Sequence, residues 1–169
     1  IQPGQRFGQK NNELIFCYSD DKCRTWSEPT VVSSTYRGNW EVTSPILVLH
    51  DGTFLAPGAK LSSEEKLGEQ VLVMCSKDNG QTWPNTYVAM EDPKGEYGFF
   101  EHKLIEMEPG QLMMMAWTVT LGDVYDKQNH FTISNDGGKT WSNPQPTGLY
   151  GQTMFPLYLG KNRFLILYN

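Results

Sequence analysis

The sequence predicts an all-β protein, a β-propeller of four-stranded antiparallel blades, and three observations lead to this prediction. An eight-residue pattern, Ser-x-Asp-x-Gly-x-Thr-Trp, begins at residues 19, 76 and 134, so its copies lie 57 and 58 residues apart. Apolar hairpins alternate with these octets. No segment shows the sustained i, i+3, i+4, i+7 apolar spacing of a helix. A repeat of this period indicates one supersecondary unit per copy, as in a propeller or solenoid.

The octet has the composition of a tight hairpin turn. Its Asp can accept backbone N–H groups across the tip, and Gly80 and Gly138 allow the positive φ that such a turn needs. The Thr and Trp that follow begin a return strand, in which β-branched and aromatic side chains pack well. In the first copy Cys23 replaces the glycine, which predicts a strained or altered turn.

A second repeat lies between the octets, and each copy is an apolar strand, a tight turn and another apolar strand. The turns are Asp51-Gly52, Pro109-Gly110 and Lys161-Asn162. This pattern is typical of a β-hairpin, and near-continuous apolar character predicts strands that are buried on both faces. We therefore expect these hairpins to form the inner two strands of successive blades and the octet hairpins to form the outer two.

This register divides the chain into an outer half-blade, two whole blades and an inner half-blade, at residues 1–33, 42–92, 100–147 and 153–169. The sum is about three blades, whereas propellers usually close with about four to eight. We therefore expect the chain to be part of a longer ring. The two half-blades leave apolar faces and unpaired strand edges open. A homodimer that completes a six-bladed ring with two-fold symmetry would cover them.

Composition excludes several classes of partner. The 169 residues carry a net charge of −5 with scattered Lys and Arg, so no basic stripe exists for a nucleic acid backbone. No apolar run reaches the roughly 18 residues of a membrane span, and no signal peptide opens the chain. The three cysteines lack metal-type spacing, and we expect free thiols, with Cys17 and Cys75 buried in strands. We expect no metal and no other cofactor.

The octet resembles the Asp box, or BNR repeat, of the sialidase superfamily and related propellers. Three copies at near-equal spacing extend the resemblance over nearly the whole chain. It implies a six-bladed sialidase-like propeller whose Asp boxes lie on the periphery, away from the active site. It also implies a carbohydrate substrate or ligand and a secreted or periplasmic protein.

In a propeller, the first residues of the inner strands and the loops beside them face the ligand channel. The internal alignment places Thr43, Glu101 and Thr153 at these first residues. Aromatic rings among charged and amide side chains suit a sugar, because its apolar face stacks and its hydroxyls need polar partners. We therefore predict substrate contacts from seven side chains: Arg37, Trp40, Glu41, Trp117, Asp123, Tyr125 and Gln152.

The segment from Phe100 to Met114 is similar to the sialidase segment in which a Glu precedes an inner strand, an acidic turn and a strand that ends in Arg. The resemblance implies that Glu101 is the catalytic Glu that polarises a Tyr nucleophile. Trp117 stands where the resemblance places an Arg of the triad that clamps the substrate carboxylate. This departure argues against true sialidase activity on a simple sialoside. His102 would point away from Glu101, and we expect it to be packed and hydrogen-bonded.

Two functions fit the sequence. The first is a glycoside hydrolase of the sialidase superfamily that acts on a glycan other than a simple sialoside, with Glu101 in the cleft. The second is a non-catalytic Asp-box propeller that binds a glycan or a protein. An enzyme needs acid and base groups that converge within the channel. The other Arg, Asp and Tyr residues of the family's site have no counterpart that the sequence identifies.

Overall fold

A computed structural model describes the protein from residue 12 to residue 169, and this part of the chain is all β. Thirteen strands form four antiparallel sheets, which follow one another along the sequence. Residues 12–169 contain no helix, and so no helix in this part is long and apolar enough to cross a membrane. The predicted all-β class is confirmed.

The strands are β1 Ile15–Phe16, β2 Thr30–Val31, β3 Asn39–Glu41, β4 Leu47–Val48, β5 Phe54–Leu61, β6 Leu67–Ser76, β7 Asn85–Glu91, β8 Tyr97–Glu108, β9 Gln111–Thr120, β10 His130–Ser134, β11 Gln145–Pro146, β12 Phe155–Tyr158 and β13 Phe164–Leu167. The first sheet pairs β1 with β2, and the fourth pairs β12 with β13. The second sheet has the order β3-β5-β6-β7, with β4 also paired to β5. The third has the order β8-β9-β10-β11.

The second and third sheets are blades of four antiparallel strands in which the inner strand comes first in the sequence. The inner strand of the second sheet is split into β3 and β4, which pair with opposite ends of β5. In the third sheet β8 is continuous. The second strands, β5 and β9, are buried along nearly their whole length, because sheets pack on both of their faces.

Three strands extend further than the sequence indicates. The second sheet begins at Asn39 rather than at residue 42, and the third begins at Tyr97 rather than at residue 100. β9 continues past Trp117 to Thr120, where the sequence predicts a loop. Cross-strand pairing explains the extension, since Tyr97 pairs with Thr120 and Asn39 pairs with Leu61. The blade boundaries stay a prediction, and residues 1–11 of the first half-blade lie outside the described residues.

Each octet forms a closed hydrogen-bond network at the tip of an outer hairpin. In the second copy, Asp78 accepts from Thr82 N at 2.9 Å and from Thr82 Oγ1 at 2.6 Å. Ser76 Oγ accepts from Gly80 N at 2.9 Å. The third copy repeats this network around Asp136. The hydrogen bonds from Thr82 and Ser76 lower the pKa of Asp78 to about 2.

The tryptophan of an octet ties its hairpin to the preceding sheet. Trp83 is buried in a cluster with Leu14, which lies beside the first sheet. Trp141 packs in the same way against the cluster that contains Leu55 of the second sheet. Trp26 of the first octet is 60% exposed, and no described sheet precedes it. The octets therefore fasten one blade to the next as well as closing a turn.

Three apolar layers between successive sheets form the core. The first joins the first and second sheets, the second joins the second and third, and the third joins the third and fourth. Full burial of one such side chain contributes about 1.5–3 kcal/mol. Members of the three layers are, respectively, Leu14, Ala56 and Met74; Leu55, Val73 and Met114; and Met113, Met115 and Met154.

The octet turns lie at one end of the blades, and Glu101 lies toward the other. Gly137 N in the third octet donates to Gly110 O in the turn between β8 and β9 at 3.0 Å. β8 ends at Glu108 beside this turn, so Glu101 is seven residues, roughly 23 Å, away. The octets and Glu101 therefore occupy opposite ends of the blade, as the sequence predicts.

The three cysteines are free thiols in different surroundings. Cys75 is buried in β6 as predicted. Cys17 is half-buried and follows β1, so the prediction of a buried strand residue is wrong for it. The first sheet has just two strands of two residues each and covers its neighbours incompletely. Cys23 is exposed with φ 62°, and its N–H still donates to Ser19 Oγ at 2.9 Å.

Replacing Cys23 by glycine should stabilise the first octet. A non-glycine residue in the left-handed region costs about 1–2 kcal/mol, and the greater unfolded-state entropy of glycine offsets part of this. We expect Cys23→Gly to raise the free energy of unfolding by about 0.5–1 kcal/mol. Urea unfolding followed by tryptophan fluorescence measures the change.

The matched control is Gly80→Ala at the equivalent position of the second octet. Gly80 has φ 82°, and an added Cβ would lie 2.8 Å from Cζ of Phe16. This substitution should lower the free energy of unfolding by about 1 kcal/mol or more. If both substitutions changed stability in the same direction, backbone strain at Cys23 would not be the explanation.

Candidate functional site

The inner strands of three successive sheets are irregular at equivalent positions. β3 ends at Glu41, and β4 begins only at Leu47. β8 has a bulge at Glu101, whose φ is 47°. Thr153, with φ 50°, lies just before β12. Non-glycine residues seldom adopt this conformation, and bulges often re-aim a side chain beside an active site.

The bulge shifts the alternation of β8 by one residue. Phe99 and Leu104 would lie on opposite faces of an unbroken strand, yet both pack into the second apolar layer. The reason is that Glu101 and His102 together occupy one pairing position along β9. A left-handed residue other than glycine costs about 1–2 kcal/mol, so the packing on both sides of the bulge must hold Glu101 in place.

Glu101 is the point where three inner strands meet. Its backbone N–H donates to Glu41 Oε2 at 3.2 Å, although the two residues are 60 apart in sequence. Its carboxylate accepts from Thr153 Oγ1 at 2.5 Å. Beside it, Thr43 Oγ1 donates to the carbonyl of His102 at 3.5 Å. Stacking of the blades therefore places the carboxyl group of Glu41 against the backbone of Glu101.

The environment of Glu41 favours its protonated form. Burial raises the pKa of Glu41 to about 7, and the negative charge of Glu101 acts in the same direction. The hydrogen bond from the Glu101 N–H and the charge of Lys103 oppose the increase. A carboxyl group that holds its proton near neutral pH can act as a general acid.

Lys103 is the charged member of this cluster that sequence reasoning missed. It lies two residues after Glu101, is only 7% exposed, and its Nζ donates to the backbone carbonyl of Thr43 at 2.5 Å. Burial lowers the pKa of Lys103, while the charges of Glu101 and Glu41 act in the opposite direction. The signal in the sequence is a single lysine within the inner strand, two residues after Glu101.

Comparison with known proteins identifies the family. A family model for the BNR repeat-like domain matches residues 2–169, which is nearly the whole chain. The chain belongs to this family. None of the curated proteins matches the chain.

Several solved structures share the fold. A Dyadobacter fermentans protein of unknown function aligns with a TM-score of 0.74 and 22% identity, over 91% of this chain and 43% of its own. The NanB sialidase of Streptococcus pneumoniae aligns with a TM-score of 0.63 and 17% identity, over 82% of this chain and 20% of its own. An intramolecular trans-sialidase from Ruminococcus gnavus aligns with a TM-score of 0.55 and 25% identity, over 80% of this chain and 27% of its own.

The family model confirms the predicted BNR repeats, and the solved structures confirm the predicted sialidase-like propeller fold. The chain spans less than half the length of the structures that it resembles. It therefore corresponds to part of such a propeller.

His102 differs from its prediction. It is packed as expected, but both ring nitrogens are buried without a hydrogen-bond partner among the described residues. Burial lowers the pKa of His102 to about 4, although the backbone of Pro57 favours the charged form. The polar group that acts on the ring is the backbone of Pro57 in β5 of the neighbouring sheet.

Two predicted substrate contacts are packed aromatic residues. Trp40 lies in β3 rather than in a loop, is 6% exposed, and packs with Tyr36 in the first apolar layer. It therefore belongs to the core, because Asn39–Glu41 pairs with β5. Trp117 is half-buried within β9 and packs on Phe100 with ring centroids 5.8 Å apart. Its Nε1 donates to Asp126 Oδ1 at 2.8 Å.

Four further predicted contacts are exposed residues of the surrounding loops. They are Arg37, Asp123, Tyr125 and Gln152. Tyr125 is 68% exposed, and Val124 before it has φ 58°, so Asp123 and Tyr125 do not follow the alternation of an extended strand. The hydrogen bonds between described residues join none of the four to Glu101. No group of His, Cys, Asp or Glu within residues 12–169 could hold a metal ion.

The raised pKa of Glu41 predicts a pH-dependent stability. Because the folded protein holds the Glu41 proton up to about pH 7 and the unfolded chain releases it near 4.5, Glu41 weakens folding as the pH rises between these values. Glu41→Gln keeps an oxygen acceptor for the Glu101 N–H but removes this titration. The free energy of unfolding of Glu41→Gln should equal that of the unaltered protein at pH 4.5. It should exceed it by about 2–3 kcal/mol at pH 8.

Urea unfolding at several pH values measures this difference. The two proteins must be compared at each pH, because the lowered pKa of His102 makes stability rise with pH between about 4 and 6.5 in both. Glu65→Gln, in an exposed turn, controls for the loss of one negative charge. A difference that stays constant from pH 4.5 to 8 would show that Glu41 titrates normally.

Proposed function

We propose that this chain supplies one wall of the catalytic cleft of a glycoside hydrolase, with Glu41 as the proton donor and Glu101 as its carboxylate partner. The observation that supports the proposal is the hydrogen bond from the Glu101 backbone N–H to the Glu41 carboxyl group at the junction of two inner strands. Glycosidases generally use two carboxyl groups, and environments that separate their protonation states assign the acid and the base.

The chemistry follows from the different surroundings of the two side chains. Glu41, whose pKa is raised to about 7 mainly by burial, can protonate the oxygen of a leaving group near neutral pH. Glu101 is held in a strained conformation and is oriented by Thr153 Oγ1. Its carboxylate is suited to activate a nucleophile or to stabilise the positive charge that develops on the sugar ring.

The substrate that fits this part of the cleft is a glycan without a carboxylate at this position. Trp117 occupies the position of the arginine in the sialidase pattern and packs on Phe100. Lys103 is buried on the Thr43 carbonyl. No Arg lies among the described residues of β3, β8 and β12. An uncharged sugar therefore suits these strands better than a sialoside does.

A non-catalytic propeller that binds a glycan or a protein is the second candidate. Tyr125 is 68% exposed at the ligand-facing end of the third sheet and supports it. An exposed tyrosine offers a stacking surface for a sugar or a peptide without any need for ionisation. Binding without turnover that depends on Tyr125 and not on Glu101 would favour this candidate.

The enzyme proposal predicts that Glu101→Gln lowers kcat/KM by about 10²–10⁴-fold, because the amide cannot serve as a base or a counter-charge. Folding should be nearly unchanged, since the amide oxygen can still accept from Thr153. A panel of aryl glycosides and natural glycans, with the unaltered protein as reference, identifies the substrate. Circular dichroism confirms that the variant is folded.

The matched control is Glu108→Gln, on the same strand but at the octet end and exposed. It should keep full activity. Full activity of Glu101→Gln would remove Glu101 from the mechanism, and an unfolded variant would assign it to structure. If the unaltered protein hydrolyses no member of the panel, the enzyme proposal fails.

We also propose that two copies of this chain associate through their open blades. The outward face of the fourth sheet presents Phe155, Leu157, Leu165 and Leu167, each more than half exposed and paired across β12 and β13. The first sheet exposes Ile15, Val31 and the Trp26 indole. One copy's fourth sheet and the other's first sheet can complete a blade of four strands.

Sedimentation of the 169-residue chain tests this association. We expect a dimer at concentrations of tens of micromolar, and we expect Leu157→Asp with Leu165→Asp to give a monomer of the same β content, since two charges would be buried. Lys161→Asp, in the exposed turn of the same hairpin, is the control. A stable monomer of the unaltered chain would rule the association out.

A further inference from the structure

The position of Lys103 is unusual for a lysine. Lysine is seldom buried without a paired charge, yet Lys103 is 7% exposed and makes no ion pair within 4.0 Å among the described residues. Its Nζ instead donates to the backbone carbonyl of Thr43, which lies between β3 and β4 of the neighbouring sheet. The ammonium group is therefore fixed at the same blade junction as the two carboxyl groups.

The charged groups around this junction are few. Glu41 comes from β3, while Glu101 and Lys103 come from β8. Thr153, just before β12, contributes a neutral hydroxyl, and His102 is neutral because burial lowers its pKa to about 4. When Glu41 holds its proton, the charges of Glu101 and Lys103 balance. When Glu41 loses its proton, one negative charge in excess is buried at the junction.

We propose that Lys103 is a positioning residue for the proton donor, and that its ammonium group, fixed on the Thr43 carbonyl two residues from Glu41, limits the pH range in which Glu41 keeps its proton. The inference rests on the proposed function for the role of Glu41 as an acid. The electrostatic link between Lys103 and Glu41 does not depend on catalysis. A nearby cation favours the ionised form of a carboxyl group, so Lys103 limits the increase that burial causes in the pKa of Glu41.

The test replaces Lys103 with Met, which has a similar length, no charge and an adaptable side chain that suits a buried position. Lys103→Arg keeps the charge. Lys94→Met makes the same change of charge on an exposed turn and is the matched control. For each variant, ¹³C NMR of labelled glutamate follows the Glu41 carboxyl group from pH 4 to 10. The pH dependence of kcat/KM is measured on the same samples.

In Lys103→Met, the titration of Glu41 should move up by about 1 pH unit, and the alkaline limb of kcat/KM should move with it. Lys103→Arg and Lys94→Met should titrate like the unaltered protein. An unchanged Glu41 titration in Lys103→Met would overturn the inference whatever the activity. A shifted titration without activity in any protein would support the inference and count against the proposed function.

A reciprocal measurement covers the case in which Lys103→Met does not fold. The ¹³Cε resonance of Lys103 is titrated in the unaltered protein and in Glu41→Gln. The charge of Glu41 raises the pKa of Lys103, so its removal should lower the pH at which Lys103 titrates. No change between the two proteins would show that the side chains do not interact, and the inference would fail.

Discussion

Each sheet of this chain can bury its apolar faces only against the neighbouring sheets, and most other features follow from that stacking. The three apolar layers set the distance between successive blades and so bring their inner strands side by side. Glu41 and Glu101 meet because β3 and β8 belong to neighbouring blades. The Asp-box tryptophans strengthen the same stacking from the outer edge, since Trp83 packs beside the first sheet.

The features that the sequence predicts well are those formed by residues close together in the chain. The octet turn is closed by hydrogen bonds within eight residues, so Asp78, Gly80 and Thr82 indicate it by themselves. The order of strands within a blade follows from consecutive hairpins in the same way. The importance of Glu101 could be suggested only from a family resemblance and from its place in the repeat.

The chemistry of the site could not be predicted because it depends on contacts across about 60 residues and on one backbone irregularity. The bulge at Glu101 reverses the alternation of β8, which decides that Leu104 faces the same interface as Phe99. No pattern in the sequence signals a bulge at a glutamate. The strand position of Trp40 could not be predicted for a related reason. Its partner strand β5 follows in the sequence only after β4, the second part of the interrupted inner strand.

The contacts of Trp83 and Trp141 with the preceding sheets set an order in which the blades can fold. A ribosome releases the inner strands of a blade first and its octet last. When Trp83 emerges, the first sheet and most of the second are already available to receive it. Trp141 then finds the second sheet complete. Folding can thus advance from the amino-terminal side one blade at a time, with each tryptophan docking on structure that has already been synthesised.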